Sequence, residues 1–337
     1  MTRLFLIRHA EAEGNIYRRA HGQFNGQLIG RASAQIEQLR ERFLHENMDA
    51  VYSSDLSRAC VTAAAISQTR GLKINTTELL REVCLGDWED ISWGDINYHF
   101  PEMGELFNSD PARWSVAGSE KYEQVQERMK RCLIDIARRH DGQTVAVFSH
   151  GFSIRAITCQ LLGIPSHKIE QVPYCDNTAV ALLRYEDDKF TVEYHRDTSH
   201  LRGDTSTLAT QTWWKDENKR LREELRFEWE TGTAPVSHKA LLGNELAGML
   251  DLDTMRGKEN NSGWISQFFV KPEYRRRGFG VQLLGQSVSE YRKLRREKLC
   301  LEVEKDSPLM EFCKKYDFSK NGESGELCLM EKNIRNW

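Results

Sequence analysis

The feature that most narrows the fold of this chain is an alternation of two patterns. Short apolar runs stop abruptly at polar turns, and stretches with helical spacing follow them. Residues 4–7 (LFLI) end at Arg8-His9, residues 49–52 lead into Ser54-Asp55, either of which is available to cap the helix opened by SSDLSRACVTAAAI, and residues 144–150 (TVAVFSH) end on His150. After the first run, residues 32–43 place Ile36, Leu39 and Phe43 at helical spacing. After the third, residues 151–163 (GFSIRAITCQLLG) continue as a helix, while residues 179–185 and 190–195 read as two closing strands. Apolar runs without alternation belong to strands covered on both faces, so the pattern predicts an α/β domain with a mainly parallel sheet. Ligands of such sheets gather at the carboxyl ends of the strands. His9 and His150 both stand just past a strand end and are expected to meet there.

The chain has 337 residues, which suggests two domains. The small, polar stretch 202–212 (RGDTSTLATQT) is the natural divide, giving an N-terminal domain over 1–203 and a C-terminal one over 207–337. The second part reads as a smaller α+β domain: strands at 245–252 and 264–270, a glycine-rich turn, a helix at 281–292, a strand at 299–303 and a helix at 308–316. Residues 213–229 read as a highly charged helix. Residues 86–118 read as irregular, with Trp88, Trp93, Phe100 and Trp114 available to line a compact cap.

Composition excludes several roles. Lys plus Arg number 47 and Asp plus Glu 50, so the net charge of −3 does not suit a nucleic-acid-coating protein. No apolar run approaches the ~20 residues of a membrane helix. Arg8 interrupts the first apolar run too early for a signal peptide. The eight cysteines form no C-x-x-C pair, so neither a metal site nor a disulfide framework is expected. A cytoplasmic protein acting on small molecules, with neither membrane nor nucleic acid as partner, is the expectation.

Arg8-His9 carries chemistry suited to a phosphoryl group. A guanidinium offers bidentate contacts to phosphate oxygens, and a neutral imidazole offers a nucleophilic nitrogen. Further groups of the same kind appear: Arg58 in SSDLSRACVTA, Glu82 in LREVCLGDWE and His150 in FSHGFSIRA. With LFLIRHAEAEGN (4–15), VYSSDLSRACVTA (51–63), LREVCLGDWED (80–90), SEKYEQVQERM (119–129) and VFSHGFSIRA (147–156) in this order, the first 202 residues resemble the histidine phosphatase superfamily, the phosphoglycerate-mutase-like fold. DTSHL at 197–201 resembles that family's closing segment.

The resemblance implies specific roles. His9 is the expected nucleophile, carrying a transient phosphohistidine. Arg8, Arg58 and His150 are expected to bind the phosphoryl oxygens, Glu82 to protonate the leaving oxygen, and Asn15 to add a phosphate or substrate contact. No metal is implied. Ala10, Ala12 and Gly14 replace the family's usual Gly, Thr and Trp, which bears on the identity of the substrate. The short stretch between Glu82 and His150 leaves room only for a compact cap, which favours hydrolysis of a small phosphorylated metabolite over a mutase reaction.

Residues 264–284 (WISQFFVKPEYRRRGFGVQLL) run from a strand through a basic, glycine-rich turn into a helix. Glycines admit a pyrophosphate close to backbone N–H groups, and a helix N-terminus favours the anion. Together with Val270, Pro272 and LCLEVEKDSPLMEFCKKYDF (299–318), this stretch resembles the GNAT acyltransferases over about 207–337. The resemblance implies acetyl-CoA held by Phe269, Val270, Arg275, Arg276, Arg277, Gly278, Phe279 and Gly280, and acetyl transfer to an amine. Cys313 stands where that family often has a tyrosine acid, with Tyr316 one helical turn away. Glu302, Glu304 or a water are candidate bases for an amine substrate. The expected protein is thus bifunctional; the alternative is a phosphatase whose second domain binds acetyl-CoA without catalysis and regulates the first.

Overall fold

A computed structural model describes residues 1–211, 224–229 and 235–336. By contact the chain sorts into two units. The first holds Met1–Ala12, His21–Glu89 and Phe100–Gln211; the second holds Glu13–Ala20, Asp90–His99 and Thr212–Trp337.

The strands of the first unit are β1 (Thr2–Arg8), β2 (Ala50–Ser54), β3 (Ile74–Thr77), β4 (Thr144–Ser149), β5 (Val180–Glu186) and β6 (Lys189–Asp197). They form one sheet in the order β3-β2-β4-β1-β5-β6. β3, β2, β4 and β1 are parallel to one another, and β5 and β6 close the sheet antiparallel. The helices of this part of the sequence are α1 (Glu13–Tyr17), α2 (Ala32–Arg42), α3 (Ser57–Arg70), α4 (Trp93–His99), α5 (Pro101–Ser109), α6 (Tyr122–Arg139) and α7 (Gly151–Leu162). On one face of the sheet Phe5, Ile7, Val51, Ala146 and Phe148 pack with Leu39 and Phe43 of the α2 region and Ala63 and Ile66 of α3. Leu4 and Leu6 alternate to the other face, where α6 and α7 meet β1. Every residue of β4 is buried, as its unbroken apolar run requires.

Three local expectations change. Neither Ser54 nor Asp55 caps α3; Leu56 is its N-cap, and Ser54 Oγ accepts only the Leu56 N–H at 3.3 Å. Residues 86–118 are not wholly irregular, since α4 and α5 form there. Trp88 and Trp114 are buried rather than lining a surface, packed 5.7 Å apart with Phe107 against both.

The second unit contains β7 (Arg226–Trp229), β8 (Val236–Leu242), β9 (Glu245–Asp253), β10 (Ser262–Val270), α8 (Phe279–Lys293), β11 (Lys298–Glu304), α9 (Pro308–Lys315), β12 (Ser319–Ser324) and β13 (Leu327–Asn333). Its sheet runs β12-β13-β11-β10-β9-β8-β7. Residues 226–229 are a strand, not the end of a charged helix: cross-strand pairing with β8 decides the conformation of Phe227 and Trp229. The rest of that expected helix, up to residue 223, lies outside the described residues. β10 and β11 are parallel and pair only from Ser262↔Lys298 to Ile265↔Leu301, after which they part. β10 carries a bulge between Ile265 and Gln267, while β11 stays paired with β13 as far as Glu304↔Leu327.

α1 and α4 are built into this second unit. Tyr17 of α1 lies against Gly285 of α8, where a Cβ would come within 2.4 Å of the Tyr17 Cβ. Arg292 of α8 donates to both carboxylate oxygens of Glu13, at 2.8 and 2.9 Å. Arg19 donates to Gln286 at 2.7 Å, to Asp90 at 2.8 Å and to Ser289 at 2.9 Å. Asp95 of α4 accepts the Phe227 N–H at 2.8 Å.

Candidate active site

The register Arg8↔Ser149 of the parallel pair β1 and β4 delivers His9 and His150 side by side, with ring centroids 5.1 Å apart. Both are buried. Arg58 enters from the first turn of α3, which follows the neighbouring strand β2. Glu82 enters from the loop beyond β3. Four adjacent strands thus contribute one site at their carboxyl ends, as the alternation in the sequence predicts.

The turn after β1 is held at every backbone group. The His9 N–H donates to the Ser149 carbonyl at 3.0 Å. The His9 carbonyl accepts from Asn177 Nδ2 at 3.0 Å and from the Thr178 N–H at 3.3 Å. The Ala10 N–H donates to Thr62 Oγ1 at 2.9 Å, and the Glu11 N–H to Gln35 Oε1 at 2.7 Å. His9 Nδ1 lies 2.6 Å from the Ala10 carbonyl, which can only accept, so Nδ1 carries the proton and Nε2 keeps its lone pair. Burial holds His9 well below the ordinary histidine range, and the Arg58 and Arg8 charges push it further down. His150 is held down in the same way, by burial first and then by Arg58. Neither of its ring nitrogens has a hydrogen-bond partner among the described residues.

The arginines are anchored from behind. Arg58 donates to the carbonyls of Phe24 at 2.8 Å and Gly22 at 2.6 Å, and burial lowers it to about 10. Arg8 donates from Nη1 to the Cys175 carbonyl at 2.6 Å. Its guanidinium lies against Gly151, where an added Cβ would stand 3.1 Å from Nε. Glu82 sits on the first turn of α7: Oε1 accepts from the Ser153 N–H at 2.8 Å and the Val83 N–H at 3.0 Å, with Ser153 Oγ also at 3.0 Å. Among the described residues, Oε2 accepts only the Phe152 N–H, at 2.9 Å. Arg128 fixes the loop by donating to the carbonyls of Leu79, Arg81 and Glu82 at 2.7 to 3.1 Å. Asn15 lies on α1 and clusters with the second unit.

Sequence reasoning gave no role to Asp176, Asn177, Ser153 or Thr207. A polar Asp-Asn-Thr triplet immediately before the apolar run of β5 is the one signal that marks the turn holding the His9 carbonyl.

In the second unit, the glycine-rich turn leads into α8 with Gly278 as N-cap, at φ 81°. Arg276, at φ 62°, also takes the left-handed conformation. No side chain caps the first turn of α8, so its N–H groups face outward from a basic loop. Arg275 donates to the Val270 carbonyl at 3.0 Å, and Arg277 lies over the rings of Tyr274 and Phe279. Arg275, Arg276 and Arg277 are exposed, Phe269 is exposed, and the Phe279 side chain is buried, which leaves that residue its backbone N–H to offer. The parting of β10 from β11 leaves strand backbone beyond Ile265 unpaired with β11, beside that turn. These residues fit a pyrophosphate-bearing thioester cofactor. Cys313 is buried, and burial pushes its thiol up to about 12.

Among the described residues, no three His, Cys, Asp or Glu side chains gather as a metal ion would need. No described helix is long and apolar enough to cross a membrane.

A model of the histidine phosphatase superfamily (branch 1) matches residues 4–198, and a model of the acetyltransferase (GNAT) family matches residues 202–318. Phosphoserine phosphatase 1 of Hydrogenobacter thermophilus is 30% identical over 201 residues, 60% of this chain and 95% of that protein. The metal-independent phosphoserine phosphatase of Arabidopsis thaliana is 29% identical over 204 residues, 60% of this chain and 84% of that protein. The phosphoglycerate mutase-like protein 4 of the same plant is 30% identical over 202 residues, 59% and 86% of the two chains. The solved structure of Bacillus stearothermophilus YhfR matches with a TM-score of 0.57 and 28% identity, covering 59% of this chain and 99% of that one.

Proposed function

Because the chain belongs to the histidine phosphatase superfamily (branch 1) and carries a GNAT acetyltransferase domain behind it, we propose that it hydrolyses a small phosphomonoester through a phosphohistidine on His9. The observation that carries this is the His9 tautomer: Nδ1 is committed to the Ala10 carbonyl, and Nε2 keeps its lone pair in a ring that stays neutral. Nε2 attacks phosphorus as the bond to the leaving oxygen breaks. Arg8, Arg58 and His150 hold the phosphoryl oxygens, and their charge and N–H groups stabilise the transition state. Glu82 protonates the leaving oxygen from Oε2, the oxygen that accepts a single bond. Water then takes the phosphoryl group from His9, with Glu82 accepting its proton. Three relatives are named for phosphoserine or phosphoglycerate chemistry, so phosphoserine is the first substrate to try. Brief incubation with 32P-labelled phosphoserine should leave acid-labile, base-stable label on the wild type and none on His9→Ala. Label retained by His9→Ala would remove His9 from the mechanism.

The second domain is proposed to bind acetyl-CoA, with the pyrophosphate on the N–H groups and basic side chains of 275–280 and the pantetheine arm beside the end of β10. Acetyl-CoA, when bound, supplies a thioester activated for transfer to an amine. α8 covers one face of the sheet, where Leu283 would meet a Cβ on Gly248 at 3.3 Å; Asp251, opposite Gln267 beyond the β10 bulge, points to the other face. Glu302 is engaged by Arg256 at 2.6 Å, whereas the buried Oδ1 of Asp251 has no hydrogen-bond partner among the described residues. Asp251 is therefore the carboxylate assigned to the ammonium of an amine acceptor. The inert Cys313 favours a second reading, in which the domain binds acetyl-CoA without transferring its acyl group. Thiol release from acetyl-CoA in the presence of serine, lysine or spermidine separates the two.

A further inference from the structure

The segment between the two family matches has a task of its own. Residues 202–211 read as a linker, and the acetyltransferase model claims them, yet by contact they belong to the first unit. Thr207 is 2% exposed. Its hydroxyl donates to Glu11 Oε1 at 2.9 Å and accepts from Gln35 Nε2 at 3.1 Å. Its backbone N–H donates to Asp176 Oδ1 at 3.1 Å. Gln35 Nε2 also donates to the Thr205 carbonyl at 2.7 Å, and Ser206 Oγ donates to Asp176.

These partners are the groups that hold the nucleophile's turn. Glu11 stands two residues after His9, and its N–H is bound by the same Gln35. Asp176 accepts the Asn177 N–H at 2.8 Å, and Asn177 Nδ2 donates to the His9 carbonyl at 3.0 Å. One residue thus ties together both flanks of the His9 turn: its hydroxyl holds Glu11 and Gln35 on the stretch following His9, and its backbone N–H holds Asp176 on the turn before β5. A buried hydroxyl with donor and acceptor both satisfied fixes its partners in one geometry.

We propose that Thr207 is a positioning residue for His9, and that residues 205–208 are a brace of the phosphatase site rather than a tether. The inference rests on His9 being the nucleophile, which the phosphohistidine trapping of His9→Ala tests separately. Nucleophile alignment is sensitive to small displacements, so loss of the brace should slow phosphoryl transfer while leaving the arginine cradle intact.

The test uses the full chain with three variants: Thr207→Val, which keeps the shape and removes the hydroxyl; Thr207→Ser, which restores it; and Gln35→Met. Single-turnover phosphohistidine formation on Thr207→Val should show a rate constant lowered about tenfold, with the inhibition constant for inorganic phosphate unchanged and activity recovered in Thr207→Ser. Gln35→Met combined with Thr207→Val should cost less than the product of the two single effects, since both break the same tie. A Thr207→Val enzyme whose rate constant equals that of the wild type, with only the amplitude reduced, would mean that the hydroxyl merely keeps molecules folded and would overturn the proposal. So would a Thr207→Ser variant as slow as Thr207→Val.

Discussion

His9 and His150 stand with ring centroids 5.1 Å apart at the ends of adjacent parallel strands, and both imidazoles are held in the neutral form. Burial is the main cause for each, and the neighbouring arginines add to it. On the proposed mechanism, substrate therefore meets a nucleophile with a free lone pair rather than an imidazolium. The rate of phosphohistidine formation should not fall through the ordinary histidine range as pH drops from 7.5 to 6. A stopped-flow profile with an inflection near 6.5 that disappears in His150→Asn would contradict this.

The same shifts make stability depend on pH. His9, His150 and His200 all titrate below the ordinary value of 6.5 in the folded state, His200 at about 4 because of burial. The unfolded chain then binds more protons than the folded one below about 6.5, so stability is full above that pH and falls as pH drops towards the folded values. The melting temperature should decline between pH 6.5 and 4.5. His200→Gln, whose amide can replace the contact to Thr178, should flatten part of that decline.

Arg58 grips two carbonyls, Phe24 and Gly22, with two different nitrogens. A lysine ammonium cannot span both and also face a phosphate. Arg58→Lys should lower kcat/KM about 100-fold and destabilise the fold by about 1–3 kcal/mol through the unsatisfied carbonyls. Steady-state kinetics and urea unfolding measure the two effects independently.

The meeting place of the candidate residues Arg8, His9, Arg58, Glu82 and His150 is legible in the sequence, because the parallel-sheet pattern sends strand ends to one edge and the motifs name the residues. Arg58 and Glu82 could be placed in the motifs but not anchored: their partners are backbone carbonyls and N–H groups, which a sequence does not display. Residues 226–229 read as helix because their charged flanks suggest a solvated face, while pairing with β8 is a long-range fact. The role of 202–211 was hidden for a related reason. Small polar residues look like a linker whether they face water or satisfy buried carboxylates, and only contact with Glu11, Gln35 and Asp176 tells the two apart.

Acetyl-CoA should raise the melting temperature of the full chain in proportion to the logarithm of its excess over Kd. Gly278→Glu should abolish the shift, because it sets a carboxylate at the N-cap of α8 and a side chain at φ 81°. Cys313→Ser should leave the shift and any acetyl transfer within about twofold, since a thiol at about 12 contributes no proton. Asp251→Asn should retain the shift and lose thiol release to amines. Retained thiol release in that variant would remove Asp251 from the acceptor site.

Gly285→Ala places a methyl group 2.4 Å from the Cβ of Tyr17, an atom that cannot swing away. The expected cost is about 1–3 kcal/mol, seen as a lower urea midpoint. Arg292→Met, which removes the buried ion pair with Glu13, should cost about 3–5 kcal/mol. Unchanged midpoints for both would mean that α1 does not rest on α8.

The chain passes from one unit to the other five times, at residues 12/13, 20/21, 89/90, 99/100 and 211/212. A fusion of two independent enzymes needs a single crossing, at the junction. Here α1 and α4 of the phosphatase sequence complete the packing of α8 and β7, so a substitution at Tyr17 or Asp95 acts on the acetyltransferase fold as well as on its own. Recombination at the junction would hand either half a surface shaped for another partner. Either half replaced by the matching domain of a single-domain relative should therefore fail to restore the other half's stability.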